Sequence, residues 1–303
     1  MFIVTILGNN SAVPSNGRHP TSQIVQVNNE LYMIDCGEGT QMQLSAFEIK
    51  RNRIDHIFIS HLHGDHFFGL IALLNTYSLL HRVQPLTIHC HEGLKEIIDV
   101  QLKHSGAILN FELLYNFLPN DDSVILQQKD VTISVVQLQH RIQCVGFIFK
   151  ENPKDRKISK EKIDRYKIPI SALLSLKKGF DYIDENGTII DNQLLTQNAL
   201  PSKSYAYISD TKYLPELAEK LKGIDLLYHE ATFKKEDEVR AAETYHCTTI
   251  QAAKIAALAE VKKLMIGHFS AKYKEQHLDE MLTQAQEIFP NTILSLEGES
   301  YEV

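Results

Sequence analysis

Residues 54–66 read Ile54-Asp55-His56-Ile57-Phe58-Ile59-Ser60-His61-Leu62-His63-Gly64-Asp65-His66. An apolar, β-branched run that looks like a strand ends in four metal-capable side chains within six positions: His61, His63, Asp65 and His66. Imidazole and carboxylate are good ligands for first-row divalent metals. No thiolate shares the cluster, and closed structural zinc sites usually rely on cysteine, so this spacing points to a catalytic metal site with an exchangeable position.

Outward from this stretch, further strand-like runs recur at Phe2–Leu7, Ile24–Val27, Leu31–Ile34, Leu86–His89, Val131–Leu138, Val145–Phe149, Tyr205–Ile208, Ile224–Tyr228, Lys263–Ile266 and Thr292–Leu296. Helical periodicity marks Gly69–Leu80, Gly93–Leu102, Pro215–Lys222, Thr249–Ala259 and Gln276–Ile288, with Thr248-Thr249 as candidate caps. The mixture predicts an α/β or layered α+β arrangement of sheets covered by helices. Three more ligand candidates follow strands: His140 after Val131–Leu138, Asp210 after Tyr205–Ser209, and His268 after Leu264–Gly267. Strand exits on one sheet edge converge in space, so these isolated residues fall in phase with the cluster.

Composition sets the frame. With 303 residues, 44% hydrophobic and 23% charged, the chain can bury a sizeable core and is not predominantly disordered. Its longest apolar runs, such as Phe67–Leu74, fall short of the roughly 18–20 residues that span a bilayer. The N-terminal Met-Phe-Ile-Val-Thr-Ile-Leu-Gly reads as a first strand rather than a signal peptide, and a cytoplasmic protein without membrane attachment is expected. The four cysteines (Cys36, Cys90, Cys144, Cys247) lie far apart with no Cys-x-x-Cys pair, so reduced, buried thiols are expected.

The set His61, His63, Asp65, His66, His140, Asp210 and His268 resembles the ligand signature of the metallo-β-lactamase superfamily. Four stretches resemble motifs of the ribonuclease Z family of tRNA 3′-processing endonucleases: residues 31–41, His229-Glu-Ala-Thr-Phe233, Tyr245-His-Cys-Thr-Thr249 and Gly267-His-Phe-Ser-Ala-Lys-Tyr273. Their order and spacing cover nearly the whole chain. The resemblance implies a metallo-β-lactamase-like αββα sandwich, an α/β fold of two mixed sheets flanked by helices. It also implies two Zn²⁺ per subunit, with Mn²⁺ or another divalent metal as the alternative. His61, His63 and His140 would hold one ion, Asp65, His66 and His268 the other, and Asp210 would bridge them.

The implied activity is zinc-dependent endoribonuclease cleavage that removes the 3′ trailer from precursor tRNA and leaves a 3′-hydroxyl on the tRNA, through attack by a metal-activated hydroxide. Asp65 would orient the nucleophile and accept its proton, and His246 would protonate the leaving oxygen with Glu230 as its partner. Asp35 would accept a hydrogen bond from a ligand histidine. Ser270, Lys272 and Arg18 are candidate substrate-binding residues. Arg18 lies in the loop Pro14–Thr21, which departs from the family pattern at Asn16 and His19.

The formal net charge of −7 argues against a protein that coats nucleic acid with its whole surface. Residues 150–178, however, carry ten basic against four acidic side chains, a local +6 that leaves −13 on the rest. This segment holds the place of the family's exosite arm, which grips the tRNA elbow, although Ile168-Pro169-Ile170-Ser171 replaces the family's Gly-Pro element. Phe180–Gln193 reads as a hairpin around Asp184-Glu-Asn-Gly187 that returns the chain to the core. One domain, 1–303, is therefore expected, with an inserted arm at about 150–195. Precursor tRNA as partner and a homodimer follow from the resemblance. Competing readings are a superfamily hydrolase of small phosphodiesters or other esters, and a non-catalytic RNA-binding subunit. The complete ligand set weighs against the last.

Overall fold

The computed structural model describes all 303 residues. Side chains alternate along the strands in a way that dictates layers. In the strand Glu30–Ile34, Tyr32 and Ile34 face one core while Leu31 and Met33 face another. This is the period-two consequence of the pleat, and because both faces are apolar the strand must be covered on both sides.

The first sheet has seven strands: β1 (Phe2–Gly8), β2 (Ser22–Val27), β3 (Glu30–Ile34), β4 (Ile54–Phe58), β5 (Leu86–Cys90), β6 (Leu113–Phe117) and, from the far end of the chain, Ser300–Glu302. The last pairs antiparallel with β1, β1 to β3 form an antiparallel meander, and β3 to β6 run parallel. The three parallel pairs need crossovers, which the short helix Thr40–Ala46, α1 (Leu70–Leu79) and α2 (Gly93–Ser105) supply. Gly106, at φ 64°, ends α2 in the left-handed conformation, with Lys103 and His104 complementing the helix C-terminus.

The second sheet also has seven strands. They are β7 (Val124–Gln127), β8 (Val131–Leu138), β9 (Cys144–Glu151), β10 (Ser204–Ile208), β11 (Leu226–Glu230), β12 (Lys263–Gly267) and β13 (Thr292–Leu294), adjacent in that order. β10 to β13 are parallel. Over them lie α3 (Thr249–Leu258) and α4 (Glu275–Gln286). α3 starts where the sequence marks it, at a Thr248–Gln251 capping box.

The two sheets meet face to face. Val4, Ile6, Tyr32, Ile34 and Phe58 of the first pack against Ile133, Val135, Phe147 and Phe149 of the second, all buried in this layer. Outer layers form where α1 and α2 cover the first sheet through Leu70, Leu73, Leu74, Leu94 and Ile98, and where α3 and α4 cover the second through Ala252, Ala256, Leu278 and Met281. Each large apolar side chain so buried contributes roughly 1.5–3 kcal/mol, against about 0–1 kcal/mol for an exposed ion pair, so packing of the layers makes the sheets a rigid base for their end loops. The order helix, sheet, sheet, helix is the expected αββα sandwich. All four cysteines are free and buried.

The chain divides into two compact units, 1–150 with 203–303, and 151–202. The second has its own small core of Ile168, Leu176 and Leu195. It contains short helices at Lys160–Arg165 and Leu173–Lys177, and the expected hairpin forms by pairing Tyr182–Ile183 with Ile189–Ile190. Its charge differs from the expectation for a basic arm. Residues 151–202 hold nine basic and eight acidic side chains, a balance of +1, because Asp181, Asp184, Glu185 and Asp191 follow the basic stretch. Lys154 and Lys178 are moreover ion-paired, to Glu151 at 2.7 Å and Asp155 at 2.9 Å.

Candidate metal centre

Each candidate ligand sits where a buried strand ends. β4 delivers His61 and His63, and the single helical turn Gly64–Phe67 that follows carries Asp65 and His66. β8, β10 and β12 deliver His140, Asp210 and His268. The structure brings all seven together in two groups. His61 Nε2 and His140 Nε2 lie 3.0 and 3.1 Å from His63 Nδ1, and Asp210 Oδ2 lies 3.6 Å from His61 Nε2 and 3.8 Å from His140 Nε2. In the other group Asp65 Oδ2 lies 3.5 Å from His66 Nε2 and 3.4 Å from His268 Nε2. Asp210 Oδ1 faces the same two nitrogens at 3.5 and 3.2 Å. One carboxylate thus turns one oxygen to each group.

The opposite ring nitrogens are tied back to the protein. His66 Nδ1 donates to Asp35 Oδ2 at 2.7 Å, and the same carboxylate accepts from the Ser60 amide, the Ser60 hydroxyl and Tyr207 Oη. His140 Nδ1 donates to the Tyr245 carbonyl at 2.9 Å. His268 Nδ1 donates to Thr232 Oγ1 at 2.9 Å, and that hydroxyl donates onward to Glu230 at 2.7 Å. Such bonds fix ring orientation and tautomer, leaving the inward nitrogen unprotonated for a metal. Asp35, Tyr245 and His268 adopt φ of 54°, 62° and 61°, left-handed backbone that non-glycine residues enter at some cost, and all three aim groups at the centre.

Two observations test whether these residues fit divalent metal. His66 Nε2 and His268 Nε2 are buried without any hydrogen-bond partner, although buried polar atoms are normally paired. Asp35, Asp65, Asp210 and Glu230 gather around the centre, and their ion-pair partners are histidines rather than Lys or Arg. Buried negative charge of this density calls for cations between the carboxylates. Burial pushes the His61, His63 and His140 imidazoles down, so they stay neutral donors. Burial acts on His66 in the same direction, but Asp65, Asp210 and Asp35 outweigh it and push this imidazole up, a pull on positive charge that a metal ion answers in place of a proton. Burial would raise the Asp65 and Asp210 carboxyls, but the facing histidines overcome it and hold both below their usual range. The donor set fits a divalent metal. Replacing Asp35 by asparagine should therefore weaken metal affinity about 10- to 100-fold with little loss of fold, measurable by competition against a chelator; unchanged affinity would remove Asp35 from this role.

Beside the ligands, His246 Nδ1 lies 3.0 Å from Glu230 Oε1. Burial lowers the His246 imidazole, but Glu230 and then Asp210 outweigh it and bring its pKa up to about 9. Glu230 also accepts from the amides of Thr211, Thr232 and Cys247, so it organises three loops at once. His229 and Glu230 are the last residues of β11 rather than a pair beyond the strand. A cleft of about 340 Å³ opens on the centre, lined by Asp65, His63, Asp210, His246, Phe68 and Arg141 among others.

Of the three substrate-binding candidates, the Arg18 and Lys272 side chains are committed within the protein, and Ser270 is held through its backbone amide alone. Arg18 donates twice to Asn10 Oδ1, at 3.1 and 2.9 Å, and to the Tyr273 carbonyl at 2.7 Å, which clamps its loop. Asn16 and Gly17, at φ 56° and 75°, form the tight turn between Ser15 and Arg18, so the departure at Asn16 supplies a turn residue. Lys272 pairs with Asp237 at 2.8 Å, and the Ser270 amide donates to the Thr232 carbonyl. Phe68 and Arg141, absent from the sequence-based candidates, line the cleft instead. Their only signal is position, each within two residues of a ligand.

An αββα sandwich with this His/Asp set at its strand ends defines a metallo-β-lactamase-superfamily protein. The beta-lactamase superfamily domain model matches residues 197–269, and the model described as anti-Pycsar protein Apyc1 matches residues 2–166. Ribonuclease Z of Bacteroides thetaiotaomicron is 44% identical over 298 residues, 98% of this chain and 94% of that protein. Ribonuclease Z of Cytophaga hutchinsonii is 45% identical over 306 residues, covering 100% and 96%. The chain belongs to the ribonuclease Z family. Among solved structures, the short form of human tRNase Z shares the fold with a TM-score of 0.70 at 24% identity, covering 99% of this chain and 98% of that one. YhfI of Bacillus subtilis, a metallo-beta-lactamase fold protein, shares it at 0.69 and 16% identity, covering 100% of each.

Proposed function

We propose that this chain removes the 3′ trailer of precursor tRNA by hydrolysing one phosphodiester, leaving a 3′-hydroxyl on the tRNA. Membership of the ribonuclease Z family makes it an endoribonuclease. The observation that carries the proposal is Asp210 set between two complete donor groups beneath an open cleft. His61, His63, His140 and Asp210 would hold one divalent ion, and Asp65, His66, His268 and Asp210 a second. Zinc suits this nitrogen and oxygen set, and manganese is the alternative. When bound, the ions neutralise charge on the phosphoryl oxygens and lower the pKa of the attacking water.

The chain's own groups do the rest. Asp65 Oδ2 faces His66 and His268 and accepts from the Ala12 amide at 2.7 Å, which leaves Oδ1 to orient the attacking water and take its proton. His246, charged beside Glu230, gives a proton to the departing 3′-oxygen. We assign the 151–202 unit to tRNA binding and the active form to a homodimer. No helix is long and apolar enough to cross a membrane.

Incubation with a precursor tRNA and zinc or manganese should give a single cut near the discriminator base. No cleavage with either metal would refute the proposal. Deleting 151–202 should abolish cleavage of the precursor; full retention of that cleavage would remove the unit from tRNA binding, whereas a hydrolase of small phosphodiesters would keep its activity on those substrates without the unit.

A further inference from the structure

Most large apolar side chains near the centre are buried, but Phe68 is 64% exposed and lines the cleft beside Asp65 and His63. Its pose is held rather than loose. The Phe68 ring lies over the Gly64 backbone, where a Cβ would come within 2.1 Å of it, and packs edge-on against buried Phe67 with centroids 5.0 Å apart. The Phe68 amide is bonded to the Gly64 carbonyl at 2.9 Å. Glycine at 64 thus makes room for an aromatic ring beside the scissile-bond site. An exposed, oriented aromatic ring next to a phosphodiester site matches a nucleobase, whose flat face stacks on it with little regard to sequence.

Arg141 lines the same cleft, one residue beyond ligand His140. Its side chain is exposed and paired with no carboxylate, on a chain whose formal charge is −7. Unlike Arg18 and Lys272, it is uncommitted. A free guanidinium beside a phosphodiester site suits a neighbouring phosphate, which it can meet with two parallel hydrogen bonds.

We infer that Phe68 is the stacking platform for a nucleobase flanking the scissile phosphate, and that Arg141 binds the adjacent phosphate. The inference rests on the reading of the cleft as an RNA-cleaving site. Together the two residues position one nucleotide by its flat face and by its charge, so that the phosphate between is presented to the metals without a sequence requirement.

A substrate-side deletion tests the stacking. Precursor tRNAs are made with an abasic nucleotide immediately 5′ or 3′ of the cut, and kcat/KM is measured for wild type, Phe68→Ala and Phe68→Trp. Phe68→Ala should lower kcat/KM on the intact precursor by about tenfold, the range expected for losing one stacked base, and Phe68→Trp should retain it. On one of the two abasic precursors wild type should fall by the same factor and Phe68→Ala should fall no further, because both changes remove one contact. Losses that multiply independently on both abasic precursors would overturn the stacking role, as would a Phe68→Ala loss traced to a changed oligomeric state in sedimentation. Arg141→Ala should weaken binding and reduce the slope of log affinity against log salt by about one; an unchanged slope would overturn the phosphate contact. Wild type that fails to cut any precursor would refute the RNA-cleaving reading itself, whereas cleavage with independent losses refutes only this inference.

Discussion

Replacing Asp210 by alanine should lower kcat/KM on a precursor tRNA by about 10⁴-fold or more and leave at most one metal ion per chain. Asp210 alone addresses both donor groups, Oδ2 toward His61 and His140 and Oδ1 toward His66 and His268. Its loss removes a ligand from each group and one buried negative charge from between them. The charge matters as much as the ligand number, because Asp65 would be left as the one carboxylate among the ligands to balance two divalent cations. The fold should survive, since Asp210 lies beyond the end of β10 and the sheet core does not include it. Stability supplies an independent readout. Metal that binds the folded chain raises its melting temperature by mass action, so zinc should stabilise wild type and leave Asp210→Ala nearly unmoved. A variant that keeps two ions and cuts within tenfold of wild type would refute the bridging role.

The fold is legible because its strands are buried on both faces. Runs such as Ser204–Ile208 and Lys263–Gly267 show little alternation in burial yet end sharply at polar residues, and the observed ends fall within about two residues of the expected ones. What escapes a reading of the sequence lies at the sheet margins. Leu113–Phe117 and Val124–Gln127 are edge strands whose side chains are mostly half-buried or exposed, so their apolar signal is diluted, and Ser300–Glu302 is only three residues long. The strand expected at Ile224–Tyr228 begins two residues later, because Asp225 is engaged in holding the amide and hydroxyl of Ser204. The predicted helix Pro215–Lys222 is reduced to one turn, Leu217–Lys220. Two short helices, Thr40–Ala46 and Glu238–Thr244, carry no clear signal; the first has no side-chain cap and enters through left-handed Gly39.

The site is legible in proportion to how unusual its residues are. Histidines and aspartates at strand ends announce themselves, and the structure gathers all seven. Their supports, Asp35 and Glu230 apart, do not. Ser60, Tyr207 and Thr232 are ordinary residues in the sequence, and only the fold shows that Tyr207 reaches Asp35 and that Thr232 links His268 to Glu230. Charge counting along the chain misleads for a related reason. The basic run ending at Lys178 folds into one compact unit with the acidic residues after it, and phosphate attraction depends on that spatial balance rather than on the linear one.

Replacing His246 by alanine should reduce kcat by about 10²- to 10³-fold on an ordinary precursor, and the loss should vanish when the leaving 3′-oxygen is replaced by sulfur. A thiolate departs without a proton, so a general acid becomes dispensable, whereas a group that holds metal or structure does not. The geometry favours the acid. His246 Nδ1 is occupied by Glu230, and the ring lines the cleft. The competing role is that of a metal ligand, since His246, Asp210 and His268 also offer atoms close together. Metal content separates the two. His246→Ala should keep the wild-type number of ions if His246 is the acid, and a lost ion together with equal defects on the oxygen and sulfur substrates would make it a ligand. Glu230→Gln is the less informative change, because Glu230 also anchors the amides of Thr211, Thr232 and Cys247, so its loss should disturb the loops that carry His246 along with the charge beside it.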